Sequence, residues 1–113
     1  MYSSELLKGS LQTIILKLLS ENGRMYGYEI TGRVKALSEG EILLTEGALY
    51  PTLHKLEADG LVVTETVSLG KRIRKYYSLT PAGTATATAR VQEFLEFVQT
   101  MRIILATKPS PDA

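Results

Sequence analysis

The sequence predicts a mostly α fold with one small β-hairpin: three helices, two short strands and a long terminal helix. Three observations carry that prediction. Apolar residues recur with helical spacing in three separate segments of the first half. A Val- and Thr-rich run and a Tyr-rich run flank a basic turn that contains Gly70. After Thr80-Pro81, a seam of Val91, Phe94, Val98, Met101 and Leu105 repeats by three and four, the pattern of helices that pack side by side.

Taken in order, Leu7, Leu11, Ile14, Ile15, Leu18 and Leu19 predict a first helix from about Leu6 to Ser20, stopped by Asn22-Gly23. A second helix is expected over Gly27 to Leu37, with Ile30, Val34 and Leu37 inward and Ser38-Glu39-Gly40 as its end. Glu41 to Leu44 reads as a short extended or turn segment. Thr45 is a natural N-cap for a third helix that reaches Asp59, with Gly60 as its stop. Pro51 lies beyond the first turn of that helix, so a kink or a later start is expected there. Leu61 to Val67 reads as a strand, Ser68 to Arg72 as the turn, and Lys75 to Leu79 as the return strand with Tyr77 and Leu79 on one face and Tyr76 on the other. Thr80 followed by Pro81 is a cap with proline at the first helical position, and the last helix is expected to run to about Leu105.

The composition bounds what such a fold can do. A chain of 113 residues is one domain by size, with a modest core. Net charge is only +1, yet four of the 13 Lys and Arg fall within residues 71–75, and local density matters more than the total for phosphate binding. There is no cysteine, so neither disulfides nor a thiolate metal site can form, which fits a reducing compartment. One histidine, no carboxylate cluster at ligand spacing, no nucleophile–base pair and no phosphate loop argue against metal, cofactor or enzyme chemistry. No signal-peptide pattern opens the chain and no apolar run approaches the roughly 20 residues of a membrane span. A cytoplasmic protein that does not enter membranes is the expectation.

The order helix–helix–helix–hairpin–long helix is that of a winged helix-turn-helix with a C-terminal dimerisation helix. Residues 1–80 would form the winged part, 81–107 the dimerisation helix and 108–113 a loose tail. Leu49, Leu53 and Leu56 give the third helix one apolar face, which leaves Gly47, Pro51, His54, Lys55 and Ala58 on the other. Two small residues and two hydrogen-bond donors on one face, beside a basic hairpin, suit the major groove of DNA with a clamp on its phosphates.

Three separated motifs, in order, carry a resemblance. Met25-Tyr26-Gly27-Tyr28-Glu29-Ile30, the run from Gly47 through Leu49-Tyr50-Pro51-Thr52-Leu53-His54-Lys55-Leu56-Glu57 to Val62, and Arg74-Lys75-Tyr76-Tyr77-Ser78-Leu79-Thr80-Pro81-Ala82-Gly83 together resemble the PadR-type transcriptional regulators, in the branch with a single C-terminal helix. The resemblance spans about residues 5–105. It implies a homodimeric repressor that binds an inverted-repeat operator in double-stranded DNA and releases it when a small aromatic or drug-like effector binds. Two departures stand out. Ile73 occupies a wing position where the family often has proline, with one residue more in the turn. The chain also lacks tryptophan, which often stacks on planar drugs at the family's dimer centre.

The residues expected to meet DNA are then Tyr26, Thr45, Gly47, Tyr50, Pro51, His54, Lys55, Lys71, Arg72, Arg74 and Lys75. Several keep a second reading. Thr45 is first a cap; Tyr50 could pack its ring and offer its hydroxyl to a phosphate; Tyr26 could touch a phosphate or pack, and packing is the better reading for Tyr28. The expected dimer interface is Leu7, Leu11, Ile14, Val91, Phe94, Val98, Met101 and Leu105, a set that could also be monomer core or the wall of a pocket; Phe94, Phe97 and Met101 would line any small apolar effector site. The alternative function is a winged-helix module that binds protein rather than DNA, against which the four clustered cations argue.

Overall fold

A computed structural model describes residues 2–108. The expected tail therefore lies, from residue 109 on, outside the described residues. The elements are α1 (Ser4–Asn22), β1 (Met25–Tyr26), α2 (Gly27–Leu37), α3 (Glu46–Ala58), β2 (Val62–Leu69), β3 (Arg72–Leu79) and α4 (Pro81–Leu105).

Each helix starts where a side chain or proline dictates. The Ser3 hydroxyl accepts the Leu6 N–H at 3.4 Å, so α1 opens two residues earlier than its apolar pattern predicts. The Glu29 carboxylate accepts the Tyr26 N–H at 3.1 Å, half of a capping box, and gives α2 the start that its sequence marks weakly. Thr45 accepts the Ala48 N–H at 3.2 Å and starts α3. That helix runs unbroken through Pro51, so the expected later start does not occur. Residue i−4 from Pro51 is Gly47, whose carbonyl loses its usual i+4 donor; Gly47 is exposed near the start of the helix, where such a loss costs least.

The hairpin is tighter than its sequence suggests. Leu69 pairs with Arg72, so only Gly70 and Lys71 turn the chain. Gly70 alone takes positive φ (65°), as in a type II′ turn with glycine first. The strands therefore extend into what reads as a five-residue turn. The two residues of β1 pair with β3, Met25 with Tyr77 and Tyr26 with Tyr76, which completes a three-stranded antiparallel sheet in the order β1-β3-β2. Two residues carry no periodicity, so nothing in the sequence marks β1 as a strand.

The core joins Leu11, Ile15, Leu16, Leu18 and Leu19 of α1 to Ile30 and Val34 of α2, Leu49, Leu53 and Leu56 of α3, Met25, Leu61, Val62 and Tyr77 around the sheet, and Ala87 of α4. Leu37, expected inward, is 62% exposed: it sits at the last position of α2, on the rim of a shallow groove shared with Ile14 and Leu18 of α1, and is not covered by it. The second half of α4 leaves the globule, which stretches the molecule to 70 × 29 × 21 Å.

The junction of α3, β2, β3 and α4 is held by one threonine. Thr80 donates its hydroxyl to the Gly60 carbonyl at 2.7 Å, accepts the Gly83 N–H at 2.9 Å and donates its own N–H to the Leu61 carbonyl at 3.0 Å. The Leu61 carbonyl thereby lies so close to Gly83 that a Cβ there would collide with it.

Tyr77 gives this core a pH limit. Its ring is buried, and burial, with Tyr50 and Glu57 nearby, holds its phenol above the usual range. A raised folded pKa means that this group's contribution is complete below the unfolded value of about 10 and is lost as pH rises through the folded one. Tyr77→Phe removes the ionisable group. Its melting temperature should fall less than the parent's between about pH 8 and about pH 11. Equal losses in parent and variant would mean that another group sets the alkaline limit.

Candidate nucleic-acid interface

α3 presents the face that its spacing predicts. Gly47, Pro51, His54, Lys55 and Ala58 are exposed, opposite buried Leu49, Leu53 and Leu56. Lys55 carries an ion pair to Asp59 one turn on, at 3.2 Å. Such exposed pairs are worth about 0–1 kcal/mol, so its ammonium is readily exchanged to another anion. Tyr50 is half-buried, and its hydroxyl rests against the backbone of Gly27, where a Cβ would collide with it. Glycine at the start of α2 thus lets the recognition-type helix dock closely. Thr45 is exposed at the N-terminus of α3, with its hydroxyl engaged as the cap.

The wing does not form the single cationic cluster that its sequence suggests. Strand alternation sends Arg72 and Arg74 to the face of the sheet that carries Tyr26 and Tyr76, and Lys75 to the face of Tyr77, whose ring lies 5.6 Å from the ammonium. Lys71 and Arg72 stand exposed at the tip, next to Ile73, which is 75% exposed.

Arg74 is held inboard. Its guanidinium lies 4.0 Å from the centroid of the Tyr26 ring and donates to the Tyr76 hydroxyl at 3.4 Å, a bond that pushes its pKa further up. Tyr26 meets Tyr76 edge to face at 5.5 Å. Arg24 covers Tyr76 at 4.2 Å and is paired with Glu65 of β2. Tyr26, placed at a phosphate or in packing by its sequence, is thus half-buried within a stack. Arg24 escapes the sequence reading because it stands alone, and its role exists only once β1 has paired with β3. Tyr28, whose sequence context favours packing, is by contrast 77% exposed at the second position of α2.

The seam residues divide by depth. Leu11 is 5% exposed and lies in the chain's own core, so it leaves the expected interface set. Leu7, Ile14, Val91, Phe94 and Met101 are partly covered, while Val98 and Leu105 are exposed, together with Leu95, Phe97, Ile103 and Ile104. Phe94 and Phe97 approach to 6.3 Å. The shallow groove beside Phe94, about 160 Å³, is lined by Ser10, Thr13, Ile14, Lys17, Val91 and Leu95, and reaches neither Phe97 nor Met101. Among the described residues no group of His, Asp or Glu is placed to hold a metal, and no helix is long and apolar enough to cross a membrane.

Three helices with a paired wing, an exposed helix face beside that wing and a long projecting helix define a winged helix-turn-helix protein, the architecture of DNA-binding regulators. Comparison with known proteins agrees. Residues 15–89 match the Transcriptional regulator PadR-like family, and the chain belongs to that family: it is a DNA-binding transcriptional regulator and not an enzyme. It is 50% identical over 52 residues to transcriptional regulator Rv3488 of Mycobacterium tuberculosis, a match that covers 46% of this chain and 49%, about half, of that protein's length. A transcriptional regulator from Clostridium thermocellum superposes with a TM-score of 0.82 at 27% identity, over 95% of this chain and all of that one. A PadR family regulator from Eggerthella lenta superposes at 0.76 with 29% identity, over 92% and 88% of the two chains.

Proposed function

We propose that the protein is a homodimeric repressor that works in the cytoplasm and grips an inverted-repeat operator with two copies of α3 set roughly 34 Å, or about 10 bp, apart. The observation that carries this reading is the exposed face of α3 beside a wing tip with two outward cations. Gly47, Pro51, His54 and Lys55 meet base edges; Thr45, Lys71 and Arg72 meet phosphates, while Arg74 and the Tyr50 hydroxyl serve packing within the subunit. The exposed apolar residues of α4 support dimerisation, since a contiguous apolar surface of this extent on a soluble protein marks an interface. A small apolar effector seated between subunits at Phe94, Phe97 and Met101 would release the DNA by shifting the distance between the two α3 helices.

The test is a fluorescence-anisotropy titration with DNA from upstream of the coding region, at two salt concentrations, against a scrambled duplex. Tight, salt-sensitive preference for the upstream fragment supports the reading; equal weak binding to both counts against it. Within that assay the wing and the helix separate. Arg72→Ala should weaken binding to every duplex alike and make the log–log salt slope shallower by about 0.9 per lost phosphate contact. His54→Ala should instead change the ranking of sequences. An Arg72→Ala variant that altered only the ranking would contradict the phosphate assignment.

A further inference from the structure

We propose that Arg24, Tyr26, Tyr76 and Arg74 form a strut that fixes the wing to the start of α2, and that Arg24 and Tyr26 are thereby positioning residues for the wing's contacts with DNA. The inference deepens the proposed function and rests on its assignment of phosphates to the wing tip.

The geometry has three parts. First, the stack crosses the seam between β1 and β3, the one strand pairing among the described residues that ties the wing to the segment entering α2. The β1 side contributes just two residues, and a two-residue ladder resists bending poorly. Second, the four side chains interleave. Arg74 from β3 lies on Tyr26 of β1, Arg24 beside β1 lies on Tyr76 of β3, and the two rings meet edge to face. Each strand thus grasps the other's ring, which opposes hinging in both directions. The Arg24 guanidinium is also paired with Glu65, so β2 is gathered into the same contact. Third, the residue after Tyr26 is Gly27, which carries the Tyr50 hydroxyl of α3. The dipeptide Tyr26-Gly27 therefore touches the wing with one residue and the recognition helix with the next. Wing and helix must meet one duplex together, so their relative angle decides whether Lys71 and Arg72 arrive at phosphates when α3 is seated.

The absence of native cysteine allows a direct measurement. Spin labels at Lys35→Cys on α2 and Lys71→Cys at the wing tip report the angle by double electron–electron resonance, with no DNA present. The strut predicts a narrow distance distribution in this parent, a broad one after Tyr26→Leu or Arg24→Gln, and recovery of the narrow one with Tyr26→Phe, which keeps the ring. In DNA titrations, Tyr26→Leu and Arg24→Gln should make the salt slope shallower by about 1.8 per wing, the loss of two phosphate contacts, with the ranking of sequences kept. Arg24→Gln guards against the case in which Tyr26→Leu fails to fold. Narrow distributions in both variants overturn the strut, and so do broad distributions with an unchanged salt slope. A parent that shows no salt-linked binding to any duplex would instead remove the phosphate assignment of the wing, while the distance data still decide whether the strut exists.

Discussion

Gly83→Ala should lower stability by about 3 kcal/mol, in the range of overpacked buried sites, and lower the melting temperature by roughly 12 °C for a chain of this size. The added methyl would run into the Leu61 carbonyl, and that carbonyl cannot step aside. It accepts the Thr80 N–H at 3.0 Å, and Thr80 is tied in turn to the Gly60 carbonyl at 2.7 Å. Relief requires α4 to lift off the end of α3, which uncovers Ala87. Gly9→Ala is the matched control. Gly9 is exposed within α1, and a Cβ there meets nothing within 4 Å. This change should raise stability by about 1 kcal/mol, the ordinary helix-propensity gain. Thermal melts of the two variants beside the parent check both signs. A Gly83→Ala variant that melts with the parent would mean that the close approach at Leu61 is absent in solution.

Val98→Glu combined with Met101→Glu should convert the proposed dimer to monomers and cost on the order of 100-fold or more in operator affinity, because each half-site loses the effective concentration supplied by the other. Val98 is 45% exposed and Met101 partly covered, one turn apart on the half of α4 that leaves the globule, so two carboxylates there meet solvent in a monomer and each other's apolar surroundings in a dimer. The fold of the single chain should survive, since neither residue belongs to its core. Sedimentation velocity gives the mass and anisotropy the affinity. A variant that stays dimeric would remove α4 from the interface.

Long, regular signals were legible in the sequence. The apolar spacing of α1, α2 and α3 predicts those helices, with α2 bounded by Gly27 and Leu37 in both pattern and structure. Thr45, Thr80 and Pro81 mark their helix starts because capping is a local interaction between residues three apart. The helix face of Gly47, Pro51, His54 and Lys55 follows from period alone. What sequence could not convey depends on residues far apart in the chain. β1 exists because β3 offers it a partner. Arg24 lies over Tyr76 only because the fold brings β3 to it, and Leu11 reads as interface in sequence because a periodic stripe does not say which neighbour covers it. The wing cations read as one cluster because a string of letters hides the alternation of a strand, which sends Arg74 and Lys75 to opposite faces.

The packing of α4 across α1 also sets an order of events during synthesis. Arg90 of α4 is hydrogen-bonded to Gln12, and Val91 and Phe94 lie beside Ile14. Because α1 is synthesised before α4, it waits for α4 before that side of it is covered. Sheet pairing, with Met25 set against Tyr77, imposes a similar delay. Domains whose contacts span much of the chain collapse late in translation, and until then their uncovered apolar stripes are open to chaperones and to other nascent copies. Two neighbouring ribosomes on one message would thus expose the same stripes, including those of the projecting helix, at the moment when each new chain is closest to a second copy of itself.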